Sequence, residues 1–399
     1  MEKLKIRLPK AVEFIIHRLN GKGFRADIVG GPVRDHLRGK NPEDYDVTTN
    51  ALPEQVKEVF FDVRVIETGI KHGTLTLLID GVGYEVTTYR IDGEYKDARH
   101  PESVEFTDSL REDLARRDFT MNAIAYNPED GITDPFGGER DIKEKTIRSV
   151  GDPEKRFSED ALRVLRGIRF ASTLGFRVEN NTRVGIFSKK GLLSKVSAER
   201  IYTEWKKLLS GDNALPVFDE YREVVREFLP EIADSPLPNS DRFYSSDYLA
   251  RMLGLFALSN KTGDDFYLAM KRLRTDSLTA EIGRAALDAL DMFEIKATSD
   301  IGKLLNTLGE QRALILARLS ILVGKFDTSS VLRINEYVAS GKPYKLSQLA
   351  ICGEDLKKIG MSGKEIGNTL QKLMTKVIEA ECENTKASLL ALAKSNYNG

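Results

Sequence analysis

Cysteine is nearly absent from this chain: Cys352 and Cys382 are the only two in 399 residues. That excludes a disulfide framework and a cysteine zinc cluster, and it suits a reducing, cytoplasmic setting. Histidine is scarce as well, and His17, His36, His72 and His100 all precede residue 101. A His-Asp metallophosphatase domain in the C-terminal half is thereby excluded. No apolar run approaches the roughly 20 residues that span a bilayer. The opening segment MEKLKIRLPKAVEF is charged, with neither an apolar signal core nor a small-residue cleavage site, so no secretion and no membrane partner are expected. Charge of one sign is not in excess either. A net charge of −1 gives no bulk attraction to nucleic acid, and the distribution of Lys and Arg has to be read instead. Arginines crowd residues 111–177, among them Arg116, Arg117, Arg163, Arg166 and Arg169.

What is present is an ordinary globular composition, 41% hydrophobic and 30% charged, in a chain long enough for several folded units. Residues 1–138 mix periods of 3.6 and 2. The spacing predicts a helix over Leu8–Asn20 and a strand over Arg25–Val29 ending in Gly30-Gly31. A helix follows from Pro32, with strands around Asp44–Val47, Thr74–Ile79 and Tyr84–Tyr89. From about residue 139 almost every segment reads as helix, including Ser158–Leu174, Ala198–Leu209, Leu249–Ala257, Ile301–Leu308 and Lys364–Ala380. The class expected is α+β: a small α/β head (1–138), then an all-helical neck (139–210), body (211–310) and tail (311–399).

The chemistry concentrates in short motifs. Asp44 and Asp46 flank Tyr45 in a predicted strand, so both carboxylates project to one side and the tyrosine to the other. Two acids that close repel unless a cation neutralises them, and hard oxygen ligands suit Mg²⁺. Upstream, Gly30-Gly31-Pro32-Val33-Arg34-Asp35 places a glycine turn before a helix. Backbone amides there can approach a phosphate, with Arg34 in reach of the same charge. Either motif alone is common; the order strand, Gly-Gly, helix, Asp-x-Asp is not. It resembles the polymerase-β-like nucleotidyltransferases. Glu85 is a candidate third carboxylate or, equally, an exposed acid on an edge strand. Arg116-Arg117-Asp118-Phe119-Thr120-Met121-Asn122-Ala123 adds donors for triphosphate or ribose oxygens beside such a site.

The segment Glu159–Arg169 is read as one helix with Asp160, Arg163, Arg166 and Arg169 three residues apart. Asp160 beside Arg163 is either a surface ion pair or an acceptor next to a donor. The second arrangement matches the exocyclic amine and ring nitrogen of cytosine and adenine, and mismatches uracil and guanine. Arg166 and Arg169 remain for phosphate or base.

Taken in order, G-G-x-V-R-D, D-x-D, R-R-D-F-T-x-N-A, D-P-F-G-G (Asp134–Gly138), E-D-x-x-R and S-x-E-R-I (Ser197–Ile201) resemble the bacterial class II CCA-adding enzymes over roughly residues 25–210. That resemblance implies metal binding by Asp44 and Asp46, and nucleotide contacts from Gly31, Arg34 and Arg117. It also implies base selection by Asp160 and Arg163, with Arg166 and Arg169 completing the site. The substrates implied are tRNA, CTP and ATP, the cofactor Mg²⁺, and the reaction template-independent addition of C, C and A. Ile91–Leu110 is similar to the family's flexible loop, which is shortened in relatives adding only CC. The tail motifs Gly353–Leu356 and Ser362–Gly367 resemble its RNA-contacting end, or are plain helix caps. Tyr202 and Trp205 read as core or groove packing. The rivals are an enzyme adding only the final A, a bacterial poly(A) polymerase (expected to carry a basic C-terminal extension), and an inactive nucleotide- or RNA-binding module.

Overall fold

The structure, a computed structural model, describes residues 6–93 and 104–397. The chain forms two compact units, Met1–Pro230 and Glu231–Gly399.

The first unit begins with a helix, α1 (Lys10–Asn20), whose Val12, Ile15, Ile16 and Leu19 are buried at helical spacing. Next come β1 (Ala26–Val29), α2 (Gly31–Leu37), β2 (Val47–Thr49) and α3 (Pro53–Val59), then β3 (Arg64–Gly69), β4 (Thr74–Ile79), β5 (Val82–Thr88), β6 (Arg90–Asp92) and β7 (Val104–Phe106). The head closes with α4 (Leu110–Ala115), β8 (Ala125–Asn127), β9 (Gly131–Thr133) and α5 (Gly138–Lys143). Among the described residues, seven strands form one mixed sheet in the order β3-β4-β5-β2-β1-β8-β9. β2 and β5 are its parallel pair, with Val47 opposite Val86. β6 and β7 pair antiparallel as a separate ribbon. The centre of the flexible-loop segment, 94–103, lies outside the described residues.

Two expectations for the head need correction. The strand expected over Asp44–Val47 begins only at Val47, and Asp44–Asp46 is irregular backbone leading into it. The ladder nevertheless reaches Asp46, whose carbonyl accepts from the Val29 amide at 3.1 Å. β5 is not an edge strand, because β4 and β2 flank it.

The helical part is also divided differently. Ser158–Leu174 is not one helix but two, α6 (Pro153–Glu159) and α7 (Leu162–Leu174). The break is at Asp160, held in extended geometry (φ −132°, ψ 103°). Its own Oδ1 accepts from the Leu162 amide at 3.1 Å, the turn chemistry by which aspartate interrupts a helix. The start signal read at Ser158 therefore belongs to Asp152, which caps α6 ahead of Pro153. A two-stranded parallel ribbon, β10 (Thr146–Ile147) with β11 (Arg177–Val178), interrupts the otherwise helical stretch. After α8 (Asn180–Lys189), α9 (Ala198–Ser210) packs along α7 and buries Trp205 completely, with Phe228 edge-on at 5.5 Å. Trp205 is core.

The second unit is helical throughout its described length, from Ser240–Tyr244 to Lys386–Tyr397. Its last segment has a core of its own around Leu356, Leu373, Met374 and Leu389. There Gly353 opens a short helix whose Asp355 accepts from the Cys352 amide at 3.1 Å, and Gly363 (φ +59°) precedes Lys364–Ile378. Both glycines sit at helix starts, as caps do. No helix among the described residues is long and apolar enough to cross a membrane.

The D-P-F-G-G motif proves to be architectural. The Asp134 carboxylate accepts from the Gly138 and Glu139 amides at 2.8 and 2.9 Å and so caps α5. A Cβ on Gly138 would lie 2.2 Å from the Thr120 carbonyl oxygen and 2.6 Å from Ile124 Cδ1. Gly138→Ala is therefore expected to destabilise the protein by about 1–3 kcal/mol or more, read from urea denaturation. A midpoint equal to wild type would contradict this packing.

Candidate active site

Gly30 leaves β1 at φ +79°, a backbone conformation that strains any side chain. Its amide bonds the Ile124 carbonyl at 3.0 Å, and a Cβ there would stand 3.1 Å from Arg117 Nη1. The turn thus admits Arg117 against the backbone and starts α2 at Gly31. One helical turn on, Arg34 is held on two sides. Nε and Nη2 donate to Asp35 at 3.0 and 2.8 Å, and Nη1 donates to Asn122 Oδ1 at 2.9 Å.

The same helix steadies the acidic segment. His36 Nε2 is 2.9 Å from the Tyr45 hydroxyl, which leaves Asp44 and Asp46 to line a cleft of about 1150 Å³ that Tyr45 does not reach. The alternation expected of a strand is kept only in part, since Tyr45 stays off this cleft but shares a second opening with Asp44, Asp46 and Glu85. Neither carboxylate has a hydrogen-bond or ion-pair partner among the described residues, and both are open to solvent. Crowding by the surrounding walls raises the Asp46 pKa; Arg117 pulls it back and the Asp44 charge raises it again. Glu85 is exposed on β5. Its pKa is raised by the same crowding, then by Asp46 and Asp44, so the three charges sense one another. No group of three or more His, Cys, Asp or Glu side chains among the described residues is tight enough to hold a metal ion, so Glu85 does not complete a cage. Two unpartnered hard carboxylates fit Mg²⁺ all the same, because that ion keeps several waters and takes substrate phosphate oxygens.

Arg117 carries the other distinctive feature. Its guanidinium reaches Asp113 at 3.5 Å, yet its Nε is buried without a partner. Buried Asp113 also pairs with Arg116 at 2.7 Å. Burial works against its charge, but the two arginines outweigh burial and lower its pKa. An orphaned buried donor next to Asp46 and the Gly30 turn is the kind of group that an anion completes.

The cleft gathers Gly31, Arg34, Asp44, Asp46 and Arg169, but its lining does not include Arg117, Asp160, Arg163 or Arg166. Of the two readings of Asp160 beside Arg163, the surface ion pair does not form. Arg163 is buried and donates to Glu159 at 3.1 Å and to the Arg156 and Arg116 carbonyls at 3.1 and 3.0 Å. Asp160 pairs instead with Arg200, at 3.1 Å. The helix break is the reason, since it removes Asp160 from the three-residue series. Arg166 pairs with buried Asp118 at 2.7 Å, and Arg169 with Glu204 at 2.8 Å. Burial opposes the charge of Asp118, but Arg166, with Asn122 and Arg163, brings its pKa down to about 2. Asp118, Asn122 and Arg200 lie within the sequence motifs, but nothing local in them signals their partners. Glu204 lies 35 residues from Arg169, a separation that leaves no local signal.

A cleft with two unpaired carboxylates and with Arg34, Arg38 and Arg169 in its walls is the kind of site a nucleotidyltransferase needs. Comparison with known families agrees. Residues 26–148 match the poly A polymerase head domain, and residues 175–235 match the probable RNA and SrmB-binding site of polymerase A. The chain is 37% identical over 382 residues to the CCA-adding enzyme of Lactobacillus delbrueckii subsp. bulgaricus, covering 94% of this chain and 95% of that one. It is 47% identical over 223 residues to that of Geobacillus thermodenitrificans, 55% of this chain and 54% of that one. The crystal structure of the Bacillus stearothermophilus CCA-adding enzyme in complex with CTP superposes with a TM-score of 0.83 at 30% identity, covering 98% of each chain. The chain belongs to the CCA-adding enzymes, a family of tRNA nucleotidyltransferases.

Two outcomes follow from this geometry. Tyr45→Phe removes the hydroxyl that ties the acidic segment to α2, and is expected to lower kcat for nucleotide addition about 5- to 10-fold with stability within about 1 kcal/mol of wild type. An unchanged kcat would show that the tie is dispensable. For Asp118, the folded pKa is below the ordinary carboxylate value, so its stabilisation is fully present above about pH 4 and is lost as pH falls toward 2. Asp118→Asn should flatten that limb of the acid denaturation curve.

Proposed function

We propose that this protein adds C, C and A to the 3′ end of tRNA from CTP and ATP, releasing pyrophosphate at each step, by a two-metal mechanism with Mg²⁺. The observation that carries this reading is the Asp44–Asp46 pair, left without an ion-pair partner beside an orphaned Arg117 Nε while buried Asp113 and Asp118 are paired with arginines. Asp44 and Asp46 would hold the metal. When bound, Mg²⁺ makes the RNA 3′-hydroxyl a better nucleophile and neutralises charge on the leaving pyrophosphate. The 3′-oxygen forms a bond to the α-phosphorus as the bond to pyrophosphate breaks.

The remaining roles fall to the chain's own groups. Gly31 lets the triphosphate approach the backbone, and Arg34 and Arg117 take its oxygens. Asp160 accepts from the exocyclic amine of cytosine or adenine, and Arg163 donates to the adjacent ring nitrogen. Reading a base in this way requires Arg163 to exchange one of its carbonyl contacts for the base. Uracil and guanine present the reverse pattern, a carbonyl toward Asp160 and an N–H toward Arg163, and offer neither group a bond, which is how polar sites discriminate strongly. Lys40, Lys206 and Lys207 line the same cleft as Asp44 and supply positive charge for the incoming RNA end. The relatives named above support CCA addition, and the relative crystallised with CTP supports that nucleotide. The head-domain match keeps poly(A) synthesis as the second reading.

One assay separates these readings. Purified protein with Mg²⁺ is given tRNA ending before CCA, tRNA ending in CC, and an unstructured RNA. The expected products are CCA and A on the two tRNAs and no tail on the third; a long A tail on the third establishes poly(A) synthesis instead. Asp44→Ala with Asp46→Ala should lower the rate at least about a thousand-fold, and surviving activity would sink the metal assignment. Asp160→Ala should weaken selection of C and A over U and G by about two orders of magnitude.

A further inference from the structure

Phe170, on α7, is buried (3% exposed) and lines the cleft. Three guanidiniums converge on its ring. The Arg169 carbon lies 3.6 Å from the ring centroid, and those of Arg34 and Arg166 lie at 5.4 Å each. Arg166 and Arg169 share its helix, whereas Arg34 comes from α2 in the head. Behind the ring, Phe119 meets it edge-on at 5.8 Å and 86°, which fixes its tilt.

Three cations around one ring repel one another, so the arrangement needs a reason. Each is neutralised along one edge by its own acid: Arg34 by Asp35, Arg166 by Asp118 and Arg169 by Glu204. The acids fix edges, and the ring is the one surface common to all three. Arg34 and Arg169 line the cleft that Asp44 and Asp46 line. Among the described residues, no acceptor takes the terminal nitrogens of Arg169 by a hydrogen bond, since its Nε alone donates to Glu204. Those nitrogens are available to an anion in the cleft. Aromatic faces attract guanidiniums, most strongly where water is thinned, and a planar cation stacked on a fixed ring loses less freedom when it binds a ligand.

We infer that Phe170 is a positioning residue for nucleotide binding: its ring holds the head arginine and the two neck arginines in one arrangement, so that a nucleoside triphosphate meets both sets together. This rests on the proposed nucleotide site.

Substituting pentafluorophenylalanine at position 170 keeps the shape and weakens the attraction of the ring face for cations. CTP affinity measured by titration calorimetry without RNA is expected to fall about 5-fold. In steady state the KM for CTP and ATP should rise by a similar factor with kcat within about 2-fold. Phe170→Leu, which removes the ring, should raise KM about 10-fold or more. Should the leucine variant fail to fold, the fluorinated protein decides alone. Affinity and KM within 2-fold of wild type in the fluorinated protein overturn the inference and leave Phe170 as core. Wild-type protein that binds CTP but adds nothing to tRNA overturns the proposed reaction and leaves the ring's role to the calorimetry. Wild-type protein that binds no CTP overturns both.

Discussion

Most of the site depends on one turn. Gly30 carries the chain from β1 into α2 at a positive φ, with its Cα close enough to Arg117 that even a methyl group would crowd the guanidinium. From that turn everything on α2 follows in register: Gly31 at the helix start, Arg34 one turn in, and His36 placed to meet Tyr45. The Gly30 amide donates to the Ile124 carbonyl, two residues beyond Asn122, whose side chain steadies Arg34. A helix of seven residues would be marginal by itself. Here it is held by what it touches.

Around that turn, charge is distributed with a clear asymmetry. Asp35, Asp113, Asp118 and Glu204 each face an arginine, and two of them are fully or nearly fully buried with their pKa held low. Breaking such a pair leaves an uncompensated buried charge, a large cost. Asp44 and Asp46 stand outside this system, solvated and mutually repelling, on a segment tied down by one side-chain hydrogen bond. A site that pairs its buried acids with arginines and leaves these two open has an unmet electrostatic demand at the cleft. Ligand binding is where that demand is met.

The sequence made the head and its acidic pair legible because local patterns carry them. Alternation marked β4 over its full length, and the glycine turn marked the start of α2 to within a residue. Asp44 and Asp46 were read as sharing a face, and both do line the cleft, although regular strand geometry is not the cause. The helical series from Asp160 to Arg169 was misread for a physical reason. Nothing in residues 158–174 contains proline or glycine at the break, and the interruption is made by an aspartate that bonds its own backbone. Once Asp160 leaves the helix, its partner becomes Arg200, and Arg163 turns to Glu159 and to carbonyl oxygens. Arg163–Glu159 is local, but the contacts of Asp160 with Arg200, Arg163 with the Arg116 carbonyl, Arg166 with Asp118 and Arg169 with Glu204 span 35 to 48 residues, where periodicity has nothing to say.

The way α6 and α7 grip the end of α4 has a further consequence. Arg156 donates to the carbonyls of Ala115 and Arg116, and Arg163 donates to the same Arg116 carbonyl at 3.0 Å. The acceptors are main-chain atoms, which every amino acid supplies. The junction therefore does not depend on side chains 115 and 116, although Arg116 has its own partner in buried Asp113, while it does depend on the arginines opposite them. Correlated substitution is expected instead with Glu159, whose carboxylate pairs with Arg156 at 2.7 Å and with Arg163 at 3.1 Å. Across the join itself the trace in evolutionary records would be one-sided, two arginines and their shared glutamate facing a backbone that any residue supplies.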